Sequence, residues 1–139
     1  MQQPVETSPE PARLLRQEVG QFRARESRRA FDAAVRVGVL GGPRDRFVVR
    51  AQDLPAVDAA LRVDVLVALL EASAADWRTA WLTRPGGVEP LDDDLAWLSA
   101  AATAFGMHSR RLDGFYVITR SGWRDVRTGE HRVWKRLRI

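Results

Sequence analysis

The stretch that decides the fold runs from residue 78 to residue 119. It opens Arg78-Thr79-Ala80-Trp81-Leu82-Thr83-Arg84, breaks at Pro85-Gly86-Gly87, passes Asp92-Asp93-Asp94 and closes on Phe115-Tyr116-Val117-Ile118-Thr119. The outer runs are short and rich in β-branched and aromatic residues, as strands are. Between them Leu95, Leu98, Ala102 and Phe105 recur at helical spacing, with Gly106 near the end. Strand, helix of about 14 residues and strand make a βαβ unit, because parallel neighbours need a crossover of that length. The predicted strands, 78–84 and 115–119, are then parallel neighbours joined by a right-handed connection.

Beyond this unit, Ser121-Gly122 leads into Trp123 to Val126, and Thr128-Gly129 separates that run from His131 to Ile139. A turn signal between two strand-like runs predicts a C-terminal antiparallel hairpin. Alternation places Val133, Leu137 and Ile139 toward the core. Arg132, Trp134, Arg136 and Arg138 share the other face. Lys135 breaks the apolar alternation, which suits an edge strand.

Upstream, residues 1–9 are polar with two prolines and read as a disordered leader. A helix begins at Glu10, with Pro11 in its first turn and Leu15, Val19 and Phe22 as its apolar stripe. Residues 35–50 allow two readings. One is a helix ending near Gly38 or Gly41; the other is a hairpin of 35–40 with 46–50. The unbroken lead-in from Phe31 and Ala33-Ala34 favours the helix. Asp53 reads as an N-cap with Pro55 behind it, opening a helix over 55–74 along Val57, Leu61, Val65 and Leu69. The expected fold is α/β or α+β: residues 10–139 form one domain with a small mixed sheet and two or three packed helices.

Composition excludes several chemistries. The chain of 139 residues has no Cys, so disulfides, thiol catalysis and Cys-ligated metals are absent. His108 and His131 stand 22 residues apart, outside any metal-spaced cluster. Glu89, Asp92, Asp93 and Asp94 could hold Mg²⁺ only with a further carboxylate from another strand, for which Asp113 and Asp125 are the nearby candidates. Asp at a helix start has a simpler role, since it accepts from free N–H groups and complements the dipole. No phosphate-loop, Gly-x-Gly-x-x-Gly or Gly-x-Ser-x-Gly pattern occurs. No catalytic residue, metal or cofactor is assigned. No apolar run is long enough to span a bilayer and no secretory signal is evident, so a soluble cytoplasmic protein is expected.

Of 22 basic residues, 21 are Arg, a bias that a GC-rich genome produces by itself. Their placement says more. Residues 110–139 carry nine basic and three acidic side chains, while residues 1–109 carry 13 and 15. Such asymmetry marks a surface that meets a polyanion. Two sets of candidates follow. Trp81-Leu82-Thr83-Arg84-Pro85-Gly86 and Val117-Ile118-Thr119-Arg120-Ser121-Gly122 echo each other. Parallel strands would bring Arg84 and Arg120 to the carboxyl edge of the sheet, where α/β folds bind ligands, with Arg124 beside them as anion donors. In the hairpin, Trp123, Arg127, Arg132, Trp134 and Arg136 combine stacking surfaces with phosphate donors, as single-strand readers do. Alternatively, Trp123 and Trp134 pack as a cross-strand pair.

The leading expectation is a non-catalytic binding domain whose partner is nucleic acid or an acidic protein. One alternative is a homodimer through the Leu15, Val19, Phe22 stripe. Another is a small enzyme that clamps a phosphorylated or carboxylated ligand between Arg84 and Arg120.

Overall fold

The computed structural model describes residues 9–50, 52–53 and 57–135. Residues 1–8 of the expected leader lie outside them, as do Pro55, Arg136, Leu137, Arg138 and Ile139. In chain order the elements are α1 (Pro9–Arg25), β1 (Ala33–Gly38), β2 (Arg44–Val49), α2 (Ala59–Glu71), β3 (Thr79–Thr83), α3 (Asp92–Met107), β4 (Gly114–Ile118), β5 (Gly122–Asp125) and β6 (His131–Val133). The strands form one mixed sheet in the order β2-β1-β3-β4-β5-β6. Only β3 and β4 are parallel, and α3 is their crossover. The fold is α+β.

The preferred helix ending near Gly38 or Gly41 does not form; residues 35–50 take the other reading, the β1–β2 hairpin. The reason is burial. Val35 and Val37 are fully buried and pack on the α2 side, while Ala34 and Arg36 point to the opposite side. That period of two suits β-branched residues better than a helical face does. The hairpin turns at Gly41, whose φ of 75° favours glycine, and the Val39 N–H donates to the Pro43 carbonyl at 2.9 Å.

Helix α2 starts later than expected. Its N-cap is Asp58, whose Oδ1 accepts from the Leu61 N–H at 2.8 Å. Asp53 instead lies in a short turn closed by its own N–H on the Arg50 carbonyl. The buried face of α3 is Trp97, Ala100, Ala101, Ala104 and Phe105; of the expected set Phe105 is buried and Leu98 packs against the core, whereas Leu95 and Ala102 are exposed.

The sheet separates two cores. On one side α2 and α3 pack over β1 to β4, with Leu66, Leu70, Trp97 and Phe105 against Val35, Val37, Leu82, Phe115 and Val117. Each fully buried side chain of this size contributes roughly 1.5–3 kcal/mol. On the other side α1 lies mainly over β4 and β5, with Leu15, Val19 and Phe22 on Trp81, Ile118 and Trp123. Two helices thus cover one face and one helix covers part of the other. Among the described residues no helix packs squarely on the α1 side of β1 and β2. No helix among the described residues is long and apolar enough to cross a membrane.

Candidate functional site

The parallel pair brings the two Thr-Arg exits to one edge of the sheet, but not in step. Thr83 lies opposite Ile118, so the echo is offset by one residue. In a pleated sheet one residue reverses the side a chain points to. Arg84 turns toward the α3 side and Arg120 toward the α1 side.

Arg84 is fully occupied. Its Nε donates to Asp94 Oδ1 at 2.8 Å, and Nη2 donates to Asp94 Oδ2 and the Glu89 carbonyl, each at 2.9 Å. Its Nη1 donates to the carbonyls of Pro85 at 3.1 Å and Gly87 at 2.7 Å. All five N–H groups are used in a side chain only 5 % exposed. Asp94 also accepts from the Leu91 N–H at 2.9 Å, which closes the start of α3. This is a brace for the loop from Pro85 to Asp94. Among the described residues no three His, Asp or Glu side chains group to hold a metal ion.

Arg120 opens onto a depression of about 280 Å³ lined by Arg29, Phe31, Arg84, Pro85, Gly86 and Ser121. Its Nε is buried without an acceptor among the described residues. Phe31 forms one wall and is held edge-on against Phe22 at 5.4 Å. Glu26 lies within reach of this charge. Its carboxylate is held below the usual range, first by hydrogen bonds from Arg28 and more weakly by Arg120.

The hairpin forms as expected, with Gly129 in the left-handed region at its turn. Its site residues fall in different places. Trp123 is 2 % exposed, lies beneath α1 and meets Tyr116 edge-to-face at 6.4 Å. It stands opposite Arg132, not Trp134. Arg124 donates to the carbonyls of Val88 and Gly129, and Arg127 to that of Leu112. Trp134 is half-buried, with the guanidinium of Arg16 at 5.9 Å and that of Arg132 at 5.6 Å from its ring centre. These three line a depression of about 260 Å³ with Ala12, Arg13 and Trp123. Val133, expected in the core, is 54 % exposed. Helices α2 and α3 pack mainly over β1 to β4 and do not reach the β6 edge.

A third group was not singled out by sequence, because it exists only once residues 35–50 form a hairpin. Arg36 sits mid-strand in β1 between two neighbours, opposite Arg46 on β2 and Trp81 on β3. It is 8 % exposed, and among the described residues it has no hydrogen bond or ion pair; its Nε and the Trp81 Nε1 are both buried donors without acceptors. Arg44 lies over the Trp81 ring at 4.9 Å. The nearby carboxylate of Glu18 is consumed by Arg44 and by the Gly41 N–H. Burial, then the charges of Arg46, Arg25 and Arg44, push the Arg36 guanidinium down to about 10, and Glu18 opposes this in part.

Charge divides along the same line. Helix α1 carries four Arg and two Glu, whereas α2 and α3 together carry one Arg and five carboxylates. No family model matches the chain, and no match was found among curated proteins or solved structures.

Proposed function

We propose that the chain is a non-catalytic binding domain for a polyanion, with nucleic acid as the partner, the α1 side as the contact surface and the cytoplasm as its compartment. The observation that carries this is the segregation of charge across the sheet. On the α1 side Arg36 and Arg46 pair across the β1–β2 hairpin, and Arg13 and Arg16 of α1 line one depression with Arg132. A phosphate backbone meets such a surface through counterion release. Trp134, not the buried Trp123, is the ring that a base can reach.

Fluorescence anisotropy with labelled single-stranded and duplex oligonucleotides at several salt concentrations tests this. Micromolar binding that weakens steeply as salt rises is expected. No salt-dependent binding at micromolar protein would overturn it. Binding to an acidic protein but to no oligonucleotide would replace the partner.

One observation favours a second reading. The Arg29, Phe31 and Arg120 depression combines unpaired guanidinium with an aromatic wall, which suits a small phosphorylated or carboxylated ligand. Thermal-shift screening against such compounds tests it. The homodimer reading loses its surface, since Leu15, Val19 and Phe22 are spent against the sheet.

A further inference from the structure

We propose that Arg36 and Arg46 form a discrete seat for one oxyanion of the phosphate class, on the outer face of β1 and β2 beside Trp81. The seat goes beyond the polyanion surface and stands without it.

A buried charge is normally paired, because leaving water without a partner costs several kcal/mol. Arg36 breaks that pattern: it is more than nine-tenths buried, its Nε is a buried donor without an acceptor, and no carboxylate pairs with it among the described residues. Its cross-strand neighbour is another arginine, and Arg25 and Arg44 add repulsion. The carboxylate within range is already shared between Arg44 and a backbone N–H. A water molecule could accept from the Nε–H, but it would not cancel the charge. A monovalent halide would cancel one charge, but offers no set of directed lone pairs to planar donor forks. A phosphate group does both, since its oxygens accept from several guanidinium groups at once.

Position supports the same conclusion. Arg36 is anchored in an interior strand with β2 and β3 on either side, so its Cα is set by two ladders. Arg46 is exposed on β2 directly opposite Arg36, so it can swing onto a bound group. The shared chemistry is a phosphate oxyanion. It could come from free phosphate or from the backbone of a nucleic-acid strand.

The experiment follows side-chain Nε–H signals of the full chain by NMR while inorganic phosphate is added, with chloride at matched ionic strength as control. A saturable shift of the Arg36 Nε–H with phosphate, absent with chloride, is expected. Arg46→Ala changes an exposed residue and should weaken phosphate roughly tenfold, as loss of a charged hydrogen-bonding partner does. Arg36→Lys keeps the charge but loses the fork and should weaken it comparably, while Arg132→Ala should leave it unchanged. Equal shifts with chloride, or unchanged phosphate affinity in both Arg46→Ala and Arg36→Lys, would overturn the seat. A second arm adds an unlabelled single-stranded oligonucleotide. If it moves the same signal and competes with phosphate, the backbone is a source; if phosphate alone binds, the seat holds and the nucleic-acid reading fails. If the oligonucleotide binds while neither probe moves Arg36, the seat fails and the nucleic-acid reading stands.

Discussion

Arg84, just past the end of β3, and Arg36, within β1, are both buried, one on each side of the sheet, and the fold treats them oppositely. Arg84 meets a carboxylate and three carbonyls that fill its five donors. Arg36 faces Arg46 across the hairpin, feels the charges of Arg25 and Arg44, and its Nε finds no acceptor among the described residues. Burial alone therefore does not mark an arginine as structural. What separates the two is whether the chain supplies the anion. Where it does, the arginine holds a loop; where it does not, the arginine is held ready for something from outside.

The comparison can be broken most forcefully at Arg84. Arg84→Met leaves Asp94 charged and buried, so unfolding stability should fall by about 3–5 kcal/mol. Urea denaturation with an unchanged m-value measures it. Arg36→Met should move the other way and raise stability by about 1–2 kcal/mol, since an unpaired buried charge gives way to an apolar chain of similar length. A loss comparable to that of Arg84→Met would show that Arg36 is structural after all.

The pH dependence sharpens the same contrast. The folded Arg36 guanidinium titrates near 10, below its ordinary value. Between about pH 10 and that ordinary value the unfolded chain binds more protons at this site, so its contribution to stability rises with pH. The cost of the charge is complete below about pH 10 and relieved above it. The gain from Arg36→Met should thus be constant up to about pH 10 and shrink beyond it, as read by denaturation of the two proteins side by side. Smallest is the effect of Trp134→Ala. Its ring is half-buried between Arg16 and Arg132, so stability should fall by only about 1 kcal/mol. Oligonucleotide binding should weaken more clearly, and a calorimetric melt and an anisotropy titration of the same sample separate the two.

The hairpin 35–50 shows where sequence reading stops. Val35, Val37 and Val39 alternate, yet the helical lead-in from Phe31 competes with them, and only burial of Val35 and Val37 against the α2 side decides for a strand. With that strand misassigned, Arg36 had no neighbours and could not be noticed. The Thr-Arg echo is a different case: both arginines line one depression at the sheet edge, but they reach it from opposite sides. Both strands were legible, but their register was not, and one residue of offset sent Arg84 and Arg120 to opposite sides. Trp123 looked like a stacking platform until α1 covered it.

The βαβ unit, the terminal hairpin and the α1 stripe were determined by sequence alone, because period, turn residues and helix starts are local properties of the chain. Tertiary structure decided which side of the sheet each arginine faces, which tryptophan is covered and which guanidinium finds an anion. These depend on contacts such as Arg44 with Glu18 and Arg36 with Arg46, across strands and layers whose pairing no local pattern encodes.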